Sequence, residues 1–203
     1  MATARNLGLR DIYYALVTKN TATEYTCSAP KKLSRGVKAK VEVKKSAEKL
    51  YSDSAEEDTI YGTPEISVEL EIDNLTMQQQ ADLFGAKVEK GVLIETSDDI
   101  PNDVALMFRN KRPDGKYQFQ CLFVGKLGEE DSFEVETDTD KPSHTTKTLK
   151  GSFRGRELDR QTRIIVKEDE LVSGSDEDAQ TIITNWFSKV PQQITAQSNT
   201  DTK

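Results

Sequence analysis

The chain has 203 residues, enough for one ordinary domain that buries roughly 70% of its unfolded surface. Its formal net charge of −7 and its sequence pI of ≈ 5.0 argue against a protein that grips phosphate backbones, because that affinity comes from Lys and Arg. No apolar run is long enough to span a membrane, and the start MATARNLGLR lacks the apolar stretch of a signal peptide, so we expect the chain to stay in the cytoplasm.

Most of the chain alternates apolar and polar residues, which is typical of half-buried strands. The alternation is strictest at residues 37–43 and 66–72, where one face is apolar and the other charged. Residues 104–108 and 117–123 predict a hairpin, joined through the turn signal Pro113-Asp114-Gly115. Further strands are predicted at residues 12–17, 25–29, 92–94, 133–135, 148–153 and 164–166. The first of these is apolar on both faces, which predicts burial on two sides.

A short helix is predicted at residues 75–84, with Asp73 or Asn74 as its N-cap and Gly85 as its C-cap. Many strands with two isolated helices favour a mainly β (α+β) fold. We expect an antiparallel β-sandwich or partial barrel with one or two flanking helices.

The second predicted helix begins at a capping box of Ser175 and Asp178 and stops at Pro191. Its apolar side chains recur at helical spacing, so we expect the stripe to pack on a sheet as core. The core residues expected from this helix are Ile182, Ile183, Trp186 and Phe187.

We predict a single domain over residues 1–190, with an N-terminal arm at 1–9 and a polar tail at 191–203. Residues 48–62 are predicted as a long loop between two strands, because acidic residues there outnumber apolar anchors. The acidic residues are Glu48, Asp53, Glu56, Glu57 and Asp58, and the anchors are Leu50, Tyr51, Ile60 and Tyr61.

No catalytic, cofactor-binding or metal-binding site is predicted. Cys27 and Cys121 are too far apart in sequence for a CxxC or zinc motif, and we expect two buried, reduced thiols. The single histidine, His144, lies in a polar run without a nucleophile or orienting partner, which favours a solvated loop over a general base. Gly-rich phosphate loops are absent from the sequence, and the paired acidic residues lack calcium-loop spacing.

A basic stretch over residues 31–45 suggests two interpretations. One is a nucleic-acid patch, and the other is a solvent or interface face of a strand, neutralised by the acidic segment that follows. The second is favoured because aromatic residues do not interleave the lysines, as base stacking would require.

Several separated blocks resemble the major tail protein of siphophages and prophages of Gram-positive bacteria. They are GLRDIYYALVTKN, EKLYSDSAEEDTIYGTPEISVELEIDNLTMQQQADLFG, LIETSDDIPNDVALMFRNKRPDGKYQFQCLFVGKL and the closing NWF. The resemblance covers roughly residues 7 to 190 and keeps the blocks in order.

The resemblance implies a structural, non-enzymatic virion protein that forms hexameric rings, stacked into a non-contractile tail tube through which DNA is ejected. The implied partners are other copies of the chain and the tape measure, tail terminator and distal tail proteins, with DNA passing without specific binding and no membrane or cofactor involved. It implies a virion location after assembly in the host cytoplasm, and an inter-subunit role for residues 48–62. The alternative is a non-enzymatic adhesion or carbohydrate-binding module, marked by exposed aromatic residues.

Overall fold

The computed structural model describes residues 8–45, 47–52, 55–129, 146–172 and 176–191, with the backbone alone described for residue 129 and within 47–61. The predicted strand at 133–135 and His144 therefore lie outside the described residues, as do most of the N-terminal arm and of the polar tail.

Strands dominate the described part of the chain, and two short helices interrupt them. The strands are β1 (Gly8–Asn20), β2 (Tyr25–Cys27), β3 (Lys31–Lys32), β4 (Gly36–Lys44), β5 (Ala47–Ser52), β6 (Ala55–Tyr61), β7 (Glu65–Ile72), β8 (Lys87–Glu89), β9 (Val92–Ile94), β10 (Val104–Lys111), β11 (Tyr117–Glu129), β12 (Lys147–Arg154) and β13 (Arg163–Lys167). The helices are α1 (Met77–Phe84) and α2 (Glu177–Thr184).

Nine strands form one antiparallel sheet in the order β2-β1-β10-β11-β12-β7-β4, with β3 paired to β1 and β13 paired to β11. The hairpins β5–β6 and β8–β9 form two small separate sheets. The predicted mainly β fold with two helices is confirmed. The predicted hairpin is β10–β11, whose turn closes where the N–H of Arg112 donates to the carbonyl of Lys116 at 2.9 Å.

Both faces of the central strands are buried, because side chains in β10 alternate between two core clusters. The first core cluster lies inside the curled sheet and comprises Ile12, Tyr14, Leu33, Ile66, Val68, Leu70, Ile72, Leu75, Leu83, Val104, Leu106, Phe108, Leu122, Leu127, Leu149 and Phe153. The second comprises Ala15, Tyr25, Ala105, Met107, Phe119, Cys121, Phe123, Val124, Val166, Trp186 and Val190. Since β1 contributes to both, its predicted burial on two sides is confirmed.

The sheet curls until β4 contacts β1, although these strands do not pair. Gly36 permits this approach, because a Cβ there would overlap the side chains of Ile12 and Leu9. The first core cluster is thereby enclosed by the curled sheet together with α1, which contributes Leu83, and this is the partial-barrel form of the predicted architecture.

Helix α1 begins later than the sequence predicted. Its N-cap is Thr76, whose Oγ1 accepts a hydrogen bond from the N–H of Gln79 at 3.2 Å, while Oε1 of Gln79 accepts from the N–H of Thr76 at 2.9 Å. The prediction of Asp73 or Asn74 was wrong, because neither has a Glu or Gln three residues later to complete a reciprocal capping box. The predicted C-cap is confirmed at Gly85, whose φ is 83°.

The buried carboxylate of Asp82 fastens α1 to the sheet. Its Oδ2 accepts hydrogen bonds from the hydroxyl of Tyr14 at 2.8 Å and from Nζ of Lys31 at 2.6 Å, and its Oδ1 accepts from Nε2 of Gln78 at 3.1 Å. Burial opposes the charge, but the hydrogen bonds outweigh that effect and lower the pKa of Asp82. The ionised form therefore stabilises the fold.

We expect Asp82→Asn to lower the free energy of unfolding by about 1–3 kcal/mol at neutral pH, because it weakens hydrogen bonds to a buried carboxylate, one of them from the buried hydroxyl of Tyr14. A lowered folded pKa means that this contribution is complete above the unfolded pKa of about 3.9 and is lost as the pH falls through the folded value. Urea unfolding from pH 7 to pH 3 should show the two proteins converging at the acid end. The exposed pair of Lys19 and Glu24 provides a control, since Glu24→Gln should change stability little at any pH. A difference between wild type and Asp82→Asn that stays constant down to pH 3 would contradict the role of the charge.

Candidate functional site

The open edge of β4 is the first candidate surface. β4 is the last strand in the sheet order, and among the described strands it pairs only with β7. Ala39 and Val41 pack on the first core cluster, whereas Val37 and Val43 are 54% and 37% exposed. An unpaired edge of this kind presents backbone N–H and C=O groups to another strand.

The charged side chains of β4 lie on its other face and are mostly basic. Nζ of Lys40 and Nζ of Lys44 lie 2.7 Å and 3.8 Å from the carboxylate oxygens of Glu42. The hydrogen bond with Glu42 raises the pKa of Lys40, and the same bond lowers the pKa of Glu42. Lys38 and Lys45 are also exposed. This arrangement matches the strand-face interpretation of the basic stretch. The carboxylates near these lysines belong to Glu42 of β4 and to Glu65, Glu69 and Glu71 of β7, which lie opposite Lys44, Lys40 and Lys38.

The connection from β4 to β7 is a hairpin rather than the irregular loop that the sequence predicted. β5 and β6 are antiparallel, with Ala47 opposite Tyr61 and Ser52 opposite Ala55, and the register shifts between Leu50 and Tyr51. The signal for strands was present in Thr59, Ile60 and Tyr61, which favour extended backbone. Of the predicted contact residues, Asp53 lies outside the described residues, and Glu48, Leu50, Tyr51, Glu56, Glu57, Asp58, Ile60 and Tyr61 lie on the two strands. Their inter-subunit role stays a prediction.

Helix α2 is shorter than predicted and starts differently. Its N-cap is Asp176, whose carboxylate makes no capping bond but accepts from the N–H of Val172 at 2.7 Å. Ser175 of the predicted capping box lies outside the described residues. The helix ends at Thr184, well before Pro191. The apolar spacing misled the prediction because it continues through the turns that follow the helix.

The predicted core role of Trp186 agrees with its position, since its side chain is fully buried. It lies just beyond α2 and packs on Phe119, with ring centroids 5.2 Å apart. Ile182, Ile183 and Phe187 are only partly buried against the same second core cluster. The most deeply buried side chain of this region, Trp186, thus comes from the segment that follows α2.

A fully buried arginine, Arg156, was missed by the sequence analysis. Its Nε and Nη2 donate to the two carboxylate oxygens of Asp159, each at 2.7 Å, and its guanidinium lies 4.2 Å from the ring centroid of Phe123. The hydrogen bonds from Arg156 are the main reason why the pKa of Asp159 is lowered. The only sequence signal was an acidic residue three positions after an arginine, which is common on protein surfaces. The pair fixes the loop after β12 against the second core cluster.

The two thiols differ in exposure, which corrects the prediction that both are buried. Cys121 is completely buried, whereas Cys27 is half-buried and lines a groove of ≈ 370 Å³ between residues 25–29 and 188–190. Burial raises the pKa of both thiols. Cys27 escaped full burial because β2 lies at the end of the sheet order, where no further strand covers it.

We therefore expect an aromatic disulfide reagent to label one thiol of the native protein slowly and the second only after denaturation. The Cys27→Ala variant should lose the native labelling, and Cys121→Ala should keep it. Labelling of both thiols at one rate in the native protein would contradict the difference in burial.

A second candidate surface lies on the β8–β9 hairpin. Lys87 is opposite Ile94 and Glu89 is opposite Val92, so these side chains share one face. Val92 and Ile94 are 58% and 43% exposed. The other face is half-buried, and the hairpin contacts α1.

The turn after β9 presents a third aliphatic side chain, Ile100, which is 72% exposed. The carboxylate of Asp99 accepts hydrogen bonds from the N–H and the hydroxyl of Thr96, at 2.8 Å and 2.6 Å. These bonds lower the pKa of Asp99, and the nearby charge of Lys87 adds to the effect. The backbone of Ile100 packs directly on Gly85, where a Cβ would overlap its carbonyl oxygen. Ile100 is thus exposed on a firmly held backbone.

We call Val92, Ile94 and Ile100 the hairpin patch. The sequence analysis predicted β9 but not this exposure. Among the described residues, no group of three or more His, Cys, Asp or Glu side chains is placed to hold a metal ion. None of the helices described is long and apolar enough to cross a membrane.

Comparison with protein families matches residues 41–182 of the chain to a model described as phage tail tube protein. The matched region runs from β4 into α2 and includes both candidate surfaces except the start of β4. No curated protein matches the chain.

Proposed function

Because the chain belongs to the phage tail tube protein family, a structural component of the phage tail with no enzymatic activity, we propose that it polymerises as stacked hexameric rings into a non-contractile tail tube. The tube would conduct DNA during ejection from a siphophage or prophage of a Gram-positive host. Its proposed partners at the tube ends and in the lumen are the terminator, distal tail and tape measure proteins.

The observation that carries this proposal is the open edge of β4. A long strand with one unpaired edge is an aggregation hazard for a monomer, but in a polymer that edge can become the joint between copies. Val37 and Val43, the exposed aliphatic residues of β4, would gain burial in such a joint. The net charge of −7 is suited to a conduit, because an acidic lumen repels the phosphates of passing DNA.

The β5–β6 hairpin extends this proposal. It follows the open strand directly, and among the described strands β5 and β6 pair only with each other. We propose that it reaches across a subunit boundary, where its apolar anchors pack on an adjacent copy.

The alternative of a carbohydrate-binding module finds less support. Such a module needs exposed aromatic rings, but among the residues whose side chains the structure describes, which leaves out 47–61, the large exposed hydrophobic side chains are all aliphatic or methionine.

Negative-stain electron microscopy of the purified protein tests the proposal. We expect rings at low concentration and long cylinders at high concentration. A protein that remains monomeric at high concentration, or that forms only closed dimers, would contradict it.

A further inference from the structure

We propose that the hairpin patch of one copy binds the lysine-rich strand β4 of a second copy, forming a head-to-tail joint in the polymer. This inference rests on the proposed function and adds to it two specific surfaces.

The hairpin patch has the properties of a preformed contact. Three aliphatic side chains are exposed on a β-hairpin and on the turn that follows it, while the backbone beneath Ile100 is fixed by Thr96, Asp99 and Gly85. Binding would therefore order little additional backbone. Little of the favourable free energy from burying the three aliphatic side chains would be offset by lost conformational entropy. A firmly held, strongly exposed isoleucine is hard to explain by the stability of the monomer alone.

Charge identifies β4 as the complementary surface. The hairpin and its turn carry four carboxylates and two lysines, namely Glu89, Glu95, Asp98 and Asp99 against Lys87 and Lys90. β4 and the residue after it carry four lysines and one glutamate, namely Lys38, Lys40, Lys44 and Lys45 against Glu42. Three of these lysines lie opposite Glu71, Glu69 and Glu65 of β7, so the excess of positive charge lies along the open edge of β4, on the side away from β7. Each surface also exposes aliphatic side chains. Opposite charges speed the encounter and define its orientation. The exposed Val37 and Val43 lie on the opposite face of β4 from the lysines, so both kinds of side chain flank the open edge where the second copy would dock.

The same charges disfavour symmetric pairing. Two β4 strands brought together would oppose lysines, and two hairpin patches would oppose carboxylates. A contact between unlike surfaces leaves one of each free on every growing assembly, so addition of copies can continue or close into a ring. This is the type of contact that a tube requires.

The first test is Ile100→Asp. Because Ile100 is 72% exposed, the melting temperature of the monomer should be unchanged, while the concentration needed for tube formation should rise at least about tenfold. Val172→Asp is the matched control, since Val172 is an aliphatic residue with 59% exposure outside both surfaces. It should assemble like the wild type.

The second test identifies the partner surface. At low salt, Glu95→Lys with Asp98→Lys should weaken assembly, and Lys38→Glu with Lys45→Glu should weaken it similarly. All four substitutions in one chain reverse both surfaces together, so assembly should return toward the wild-type concentration. Glu95→Lys with Asp98→Lys should keep the wild-type melting temperature, because both residues are exposed. Lys38→Glu with Lys45→Glu should lower it slightly, because Lys38 lies opposite Glu71 of β7, so assembly is compared well below the melting transition.

Normal tubes from Ile100→Asp would overturn the inference while leaving the proposed function intact, because the patch would then face solvent or a different protein. Equal loss of assembly in Val172→Asp would also overturn it, as would failure of the fourfold variant to recover. A wild-type chain that never assembles would overturn the inference and the proposed function together.

Discussion

Trp186→Ala is expected to lower the free energy of unfolding by about 3–5 kcal/mol, because it empties a large, fully buried volume in the second core cluster. The lost contacts include the ring of Phe119, which would face the cavity. For a chain of this size, the melting temperature should fall by roughly 6–20 °C. Calorimetry measures this directly, and tube formation well below the transition should survive.

Trp186→Phe is the control for shape and polarity. Its smaller ring fills part of the volume, and it removes an indole N–H that is buried without an acceptor among the described atoms. Its loss of stability should be much smaller than that of the alanine variant. If Trp186→Ala melts like the wild type, the side chain is not part of the core.

Replacing residues 48–61 by a short Gly-Ser bridge should abolish polymerisation and leave a folded monomer. Since β5 and β6 lie outside the main sheet, their removal should cost little of its stability, and closing a shorter loop changes the chain entropy only slightly. The melting temperature of the monomer and sedimentation of assemblies separate the two effects.

A variant that keeps the hairpin but carries Glu56→Gln, Glu57→Gln and Asp58→Asn distinguishes charge from apolar anchoring. We expect it to assemble less efficiently than the wild type, yet better than the shortened chain. Tryptic cleavage after Lys49 should be slower in tubes than in monomers. Normal tubes from the shortened chain, or equal cleavage in both states, would contradict an inter-subunit role for the hairpin.

The strands that were most predictable are those with a strict alternation over many residues. β4 and β7 satisfy this condition. β10 and β11 were predictable for a different reason, because two apolar segments flank the turn signal Pro113-Asp114-Gly115. β3 and β8 were missed because two or three residues carry too little periodic signal, and charged residues dominate both.

The candidate surfaces were harder to predict because exposure depends on tertiary position. Ile100 precedes a proline in a segment of mixed apolar and polar residues, and this pattern is compatible with a buried or an exposed side chain. Its backbone is placed by the contact with Gly85, which the sequence does not reveal. Arg156 is similar, since burial of an arginine depends on a carboxylate and aromatic rings supplied by the fold. The helical spacing around Trp186 indicated its burial correctly but not where the helix ends.

The lysines of β4 also affect how fast the newly made monomer aggregates. While the chain is a free monomer, an encounter of two β4 strands brings like charges together, so the most direct route to sheet-to-sheet aggregation is slowed by repulsion. Added salt screens this repulsion and also weakens attraction between unlike surfaces. The yield of ordered tubes should therefore fall as ionic strength rises, while amorphous precipitate increases.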